Sequence, residues 1–350
     1  MKKNYLVSCI FILFFTIHSL QAQITTVLEG VELPTAVLVE GNDLYYGEFQ
    51  GSYYKYDLSS SDAPIEILAT NGIYRTVKSG NFIYVSESTV GRISRIDITE
   101  TNPQPLVIVD NLIFPTGVVV KDDYLYYADG SDNGSVSRIN LSEANPLIEP
   151  LISNQGQPNG IGIIGNDLYF SEWISGNISK IDITSSAPTA TIIVSGLLNP
   201  TEIIVNGNNL LVSEYSSNKV LNVDVSSSPA VVTDIVTNII SPTGLFLNGD
   251  ELYISEFGAN RIVKYTSPVF GVAENQVGNS RLVLSPNPSN DFVQVIGLKD
   301  AANYKIFNST GNEINKGTIA NNQKVSVMSL QTGVYFIRFE DGNARKFIKN

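Results

Sequence analysis

Thiol and imidazole chemistry is confined to the first 22 positions, which hold the only cysteine, Cys9, and the only histidine, His18. Lys2 and Lys3, the apolar run from Tyr5 to Ile17 and the sequence Ser19-Leu20-Gln21-Ala22 read as a secretory signal cut after Ala22. The run is short for a transmembrane anchor, and it continues past Cys9, which argues against lipidation there. A mature chain beginning at Gln23 would lack both residue types, excluding disulfides, Ser/His/Asp triads and imidazole or thiolate zinc sites. Carboxylates, Tyr, Lys, Arg and oxygen-ligated hard cations remain as the available chemistry.

The carboxylates are patterned. Glu48, Glu87, Asp129, Glu172, Glu214 and Glu256 are separated by 39, 42, 43, 42 and 42 residues. They close the segments 34–48, 73–87, 115–129, 158–172, 200–214 and 242–256, each a variation on Pro-Thr-Gly, an apolar strand, a Gly/Asn/Asp turn and Leu-Tyr-apolar-Ser-acid. Such a ladder admits two roles. It could form a cation-binding rim, or each acid could accept hydrogen bonds from its own turn, since a buried donor left unpaired costs about 1–3 kcal/mol. The second is favoured, because equivalent positions of a repeat tend to serve the scaffold.

Ligand-binding candidates are the positions where one copy departs from the others. The turn position reads Thr35, Tyr74, Thr116, Asn159, Thr201, Thr243, and the next reads Ala36, Arg75, Gly117, Gly160, Glu202, Gly244. Tyr74, Arg75, Asn159 and Glu202 stand out as a polar site, with a plain ion pair as the bland alternative. Directly after the acids stand Phe49, Trp173, Tyr215 and Phe257, with Ser88 and Gly130 in the other two copies. These aromatics suit stacking on a glycan or peptide, or packing between repeats.

The elements positioning these residues are strands. After each acid comes an alternating segment such as Ile93-Ser94-Arg95-Ile96-Asp97 or Ile178-Ser179-Lys180-Ile181-Asp182, then a Ser/Asn/Pro turn and a fourth short strand such as 65–68, 106–109 or 191–194. Four strands per unit of about 42 residues is the spacing of a propeller blade. The sixth unit supplies three strands, and Ile24-Thr25-Thr26-Val27-Leu28 has no blade of its own, so it is expected on the outer edge of the last blade, closing the ring. Arg75 in the second blade and Glu202 in the fifth then face one another across the channel mouth.

Leu252-Tyr253-Ile254-Ser255-Glu256-Phe257-Gly258-Ala259-Asn260-Arg261-Ile262-Val263-Lys264-Tyr265 resembles the repeats of the NHL and YWTD propeller families, which implies the fold over about 24–266 and a structural role for the ladder acids. Asn159 in Pro158-Asn159-Gly160 is similar to a ligand position of gluconolactonase-like propellers, which hold a divalent cation with Glu, Asn and Asp; Thr116, Thr201 and Thr243 stand where further ligands would be expected. Asp129-Gly130-Ser131-Asp132-Asn133-Gly134 is similar to a calcium loop, but its twelfth position is Asn140, not a bidentate acid. Glu202 is the only channel acid that breaks the repeat, whereas a glycosidase needs two specialised carboxylates.

From Arg281 the charge balance changes sign: residues 281–350 hold 9 basic and 5 acidic residues, against 11 and 29 over 23–280. Leu284-Ser285-Pro286-Asn287-Pro288, Phe292-Val293-Gln294-Val295, Tyr304-Lys305-Ile306-Phe307-Asn308, Thr332-Gly333-Val334-Tyr335-Phe336-Ile337-Arg338-Phe339 and Arg345-Lys346-Phe347-Ile348-Lys349 resemble the C-terminal sorting domain of type IX secretion. That resemblance implies passage across the outer membrane and the type IX machinery as a partner. A generic immunoglobulin-like module is the alternative.

Composition agrees: 43% apolar and 16% charged residues, with 27 Gly, 17 Tyr and 15 Phe, favour strands and turns over helix. The expected architecture is all-β, a six-bladed β-propeller followed by a small β-sandwich. The divisions are a signal peptide (1–22), the propeller (23–267), a linker (268–283) and the sorting domain (284–350). A body at net −18 repels nucleic acid and anionic membrane, so no nucleic-acid partner is expected. The functional expectation is a secreted or surface-held module for an extracellular glycan or protein ligand, without catalytic residues and without a cofactor beyond the weak calcium motif. The alternative is a metal-dependent lactonase-like hydrolase at the channel mouth, using Asn159, Glu202 and Arg75.

Overall fold

The computed structural model describes residues 23–143, 146–266, 283–296, 298, 301–308, 312–339 and 344–349. The expected signal sequence and most of the expected linker lie outside the described residues. Strands dominate, and they form six four-stranded antiparallel sheets followed by a three-stranded and a four-stranded sheet.

Each of the first six sheets is a meander, as in Pro34–Glu40, Asp43–Glu48, Tyr53–Asp57 and Ile65–Leu68. The innermost hairpin is set by a two-residue turn whose first residue has positive φ: Gly41, Gly80, Gly165, Gly207 and Gly249 lie between 57° and 62°, and Asp122 takes 53°. The turn fixes the register, so the first residue of each inner strand always opposes the ladder acid, as in Pro34↔Glu48, Pro158↔Glu172 and Pro242↔Glu256. Inner-strand starts and ladder acids therefore share one rim of the ring.

A propeller has no central core; apolar surface is buried between blades. Six clusters do this, each joining two consecutive sheets. One packs Tyr253 and Ile262 of the last blade against Val37, Leu44 and Tyr46 of the first, so the ring is closed by side chains. It is also closed by backbone: Gln23–Glu29 pairs antiparallel with Arg261–Thr266 as the outer strand of the sixth blade.

A third closure runs along the channel. Thr35 Oγ1 donates to Ile73 O (2.7 Å), Thr116 Oγ1 to Pro158 O (2.9 Å), Thr201 Oγ1 to Pro242 O (3.3 Å) and Thr243 Oγ1 to Pro34 O (2.7 Å), each time bridging to the first inner residue of the next blade. The neighbouring position must be small where strands converge. A Cβ on Gly117 would lie 2.3 Å from Asn159 O, one on Gly160 2.3 Å from Thr201 O, and one on Gly244 2.4 Å from Thr35 O.

The last two sheets build the C-terminal unit. Val283–Ser285, Phe292–Ile296 and Lys324–Ser326 form one, and Glu313–Ile319, Ala302–Asn308, Gly333–Phe339 and Ala344–Lys349 the other. Val293 and Val295 from the first pack with Ile306, Ile337 and Phe347 from the second, all fully buried. This is the sandwich arrangement.

Candidate functional site

A recurring backbone bond aims the aromatic residues. The residue after each ladder acid donates its N–H to the carbonyl preceding the inner strand: Phe49 to Leu33 (3.0 Å), Ser88 to Gly72 (2.7 Å), Gly130 to Phe114 (2.9 Å), Trp173 to Gln157 (3.1 Å), Tyr215 to Asn199 (3.2 Å) and Phe257 to Ser241 (3.2 Å). Phe49, Trp173, Tyr215 and Phe257 are thereby placed at equivalent points of four blades. The other two blades supply rings from different positions, Tyr74 and Phe114. Gly130 makes room for the latter, since a Cβ there would lie 3.1 Å from Phe114 Cδ1 and 2.7 Å from Thr116 Cγ2.

The result is a collar with one aromatic per blade. Ring centroids step from Phe114 to Tyr74 (5.6 Å), Phe49 (6.1 Å), Phe257 (6.0 Å), Tyr215 (5.9 Å) and Trp173 (5.2 Å), with adjacent planes turned by 59° to 69°. A near-constant step and a turn near the angle of a hexagon are what six-fold packing imposes. The rings are half-buried and, with Thr35, Thr201 and Thr243, surround a cup of about 180 Å³.

Beneath the cup the four departures from the repeat meet. Arg75 is 1% exposed; Nη1 donates to Thr35 O (3.1 Å) and Tyr74 O (2.8 Å), and Nη2 to Asn159 Oδ1 (3.1 Å). Its Nε lies 2.8 Å from Glu202 Oε2, a Coulombic contact, because the N–H is not aimed along a hydrogen-bonding line. Asn159 Nδ2 donates to the Tyr74 hydroxyl (2.8 Å), and the Arg75 guanidinium lies 4.6 Å from the centre of the Tyr74 ring. Ser86 and Ser213 hold the Arg75 and Glu202 backbone N–H groups at 2.9 Å each. Tyr74 and Asn159 stand where other blades place a threonine latch, so two latches are exchanged for a plug that bridges blades across the channel.

Burial pushes the Glu202 carboxyl up to about 7, with Arg75 and the Ile203 N–H pulling the other way. Between its ordinary range near 4.5 and about 7 the folded protein keeps a proton that the unfolded chain has lost. Glu202 therefore lowers stability as pH rises through that window, and its contribution is most favourable below it. Glu202→Gln stays neutral throughout. Its stability relative to wild type is expected to improve from pH 5 to pH 8, by up to about 3 kcal/mol at 1.36 kcal/mol per pKa unit. Urea unfolding across that range checks this; parallel curves for the two proteins would refute it.

The ladder acids are engaged by their own blades. Glu48, Glu214 and Glu256 accept the N–H groups of Glu32 (2.9 Å), Leu198 (2.6 Å) and Ile240 (2.7 Å), each two residues before an inner strand. Glu172 accepts Ser175 (2.9 Å) and Ser179 (2.5 Å), and Glu87 accepts Thr70, Ser94 and a two-pronged contact from Arg92. In the calcium-like loop, Asp129 Oδ1 takes the Ser131 N–H (3.0 Å) and Asp132 Oδ1 takes Gln157 Nε2 (2.7 Å). Among the described residues no group of three or more Asp, Glu, His or Cys gathers to hold a metal. The channel presents one carboxylate, already facing Arg75, and an amide occupied at both ends. That donor set does not fit a hard cation wanting six to eight oxygens, and no step of lactone hydrolysis can be assigned to it.

Phe114 is the collar residue that the repeat alignment overlooks. Its signal is present: of Leu33, Gly72, Phe114, Gln157, Asn199 and Ser241, the residues before the inner strands, it alone is aromatic.

Residues 284–350, where the C-terminal sandwich lies, match the family model of the secretion system C-terminal sorting domain. The chain carries a type IX sorting domain. The sorting domain directs the protein out of the cell, to the surface or into the medium, and implies engagement with the type IX machinery. No curated protein matches the sequence. Among solved structures, a putative gluconolactonase aligns at 11% identity over 71% of this chain and 93% of its own, with a TM-score of 0.58. Virginiamycin B lyase from Staphylococcus aureus aligns at 15% identity over 71% of this chain and 100% of its own, with a TM-score of 0.53. A chain of the nidogen/laminin complex aligns at 18% identity over 61% of this chain and 84% of its own, with a TM-score of 0.51. At these identities the likeness is one of fold, which is a β-propeller.

Proposed function

We propose that the propeller is an exported binding module that captures an extracellular ligand in the aromatic cup, the sorting domain serving its transport. One observation carries this reading: every blade contributes one half-buried ring to a single collar, although two blades must supply it from a different position. Packing between blades alone would not demand that convergence, because the six interblade clusters are complete without it. The plug beneath supports binding over catalysis, since its polar groups are turned on one another.

Trp173 is the only tryptophan of the chain and stands in the collar, so its fluorescence reports on the cup directly. Glycans and peptides titrated against the exported protein should include one that changes this emission saturably. By calorimetry, Trp173→Ala should weaken that ligand at least tenfold, about 1.4 kcal/mol, while the unfolding midpoint stays close to wild type because the ring is half-exposed. Affinity unchanged by the substitution would move the binding site elsewhere.

A further inference from the structure

We infer that the ligand group entering the cup is a methylated ammonium, a cation without N–H groups to satisfy. This deepens the reading of the collar as a ligand site and rests on it.

Size comes first. A cup of about 180 Å³ is smaller than the pockets of about 300–1,000 Å³ that enclose whole small molecules, so it admits a head group and leaves the rest of the ligand outside. Hydrogen bonding comes second. The hydroxyls of Thr35, Thr201 and Thr243 at the cup are already bonded to blade carbonyls, and the Tyr74 hydroxyl is engaged by Asn159. A sugar ring or a bare ammonium would bring several donors to a lining that is mostly aromatic and whose remaining acceptors are single hydroxyl lone pairs, and leaving some of those donors unpaired is unfavourable.

Charge decides the sign. Five consecutive steps of 5.2–6.1 Å carry six rings round one small cup, so a cation held there meets aromatic surface from several blades, and cation–π attraction acts over a ring face within about 6 Å. Behind the collar, Glu48, Asp129, Glu172 and Glu214 are held by neutral donors, while Arg92 and Arg261 are each committed to one ladder acid, Glu87 and Glu256. Arg75 below is faced by Glu202, which offsets its charge fully once the pH rises above about 7. The carboxylates that hold the turns thus leave a negative field at the mouth, reinforced by a propeller body of net −18.

The test compares choline with its uncharged isostere 3,3-dimethylbutan-1-ol, each titrated into the full exported protein at matched ionic strength with Trp173 emission as the readout. Choline is expected to saturate and to bind at least fivefold more tightly than the alcohol, and Phe257→Leu should lower choline affinity at least threefold with the fold retained by circular dichroism. Equal or tighter binding of the alcohol would overturn the cation preference and leave the cup as a binding site. So would silence toward choline in a protein whose Trp173 emission answers to a glycan or peptide. Silence toward all of these probes would overturn both the inference and the reading beneath it.

Discussion

Arg75→Ala is expected to lower the unfolding free energy by about 3–5 kcal/mol, the usual consequence of removing one partner from a buried ion pair. The side chain is 2% exposed and answers to four groups on three other blades and its own. Its loss leaves Asn159 Oδ1 and Thr35 O without their donor, Glu202 without a counter-charge, and the channel partly empty. For a domain of this size the melting midpoint should fall by roughly 10 °C. The companion variant separates charge and volume from hydrogen bonding: Arg75→Met with Glu202→Leu removes both charges and keeps volume, and is expected to recover the part of the loss that the unpaired carboxyl and the emptied space cause, while Asn159 Oδ1 and Thr35 O stay without a donor. A single variant within about 1 kcal/mol of wild type, measured by denaturant unfolding, would show that the plug does not hold the blades together. Recovery failing in the double variant would assign the loss to the hydrogen bonds that the guanidinium gives Thr35, Tyr74 and Asn159.

Deleting residues 23–29 is expected to be the most damaging change to the propeller. The strand completes the sixth blade, and Val27 and Leu28 pack into the cluster that joins that blade to the first. Two half-buried aliphatic side chains and a ladder of backbone hydrogen bonds amount to about 3–5 kcal/mol after ordering is offset. The deletion also exposes the edge of Arg261–Thr266, which invites pairing between molecules. A lower midpoint together with concentration-dependent aggregation in light scattering is the expected result. A monomeric protein melting near the wild-type midpoint would mean that the ring holds without this strand.

These two changes mark different degrees of legibility. The repeat of the ladder acids, the Gly-Asn turns and the alternating strands are local patterns, and each can be read without knowing where the chain goes next. The role of the N-terminal strand follows from counting strands, because the sixth repeat is one short. The departures at Tyr74, Arg75, Asn159 and Glu202 are equally visible as exceptions within an alignment of the chain with itself. Their opposition across the channel needs only the assumption of a six-membered ring.

The collar was legible in part. Four of its rings share one repeat position, so the alignment exposes them together. Tyr74 and Phe114 come from other positions and fill the places left by Ser88 and Gly130; such substitution in space leaves little trace in a register. The chemistry of the ladder acids is a similar case. Six evenly spaced carboxylates are compatible with a cation rim or with six turn acceptors, and the partners Glu32 N–H, Leu198 N–H and Ile240 N–H decide it.

By itself, then, the sequence determined the all-β class, the number and spacing of the blades, the separate basic tail with its sorting motifs, and which positions break the repeat. Tertiary structure decided which of those positions touch, that Arg75 reaches Asn159 across 84 residues of chain and Glu202 beyond it, and that six rings from three kinds of position meet in one cup. The physical reason is range. Strand alternation and turn geometry are settled by neighbours a few residues away, whereas contacts at the hub depend on the accumulated rotation of every blade and exist only once the last one has closed on the first.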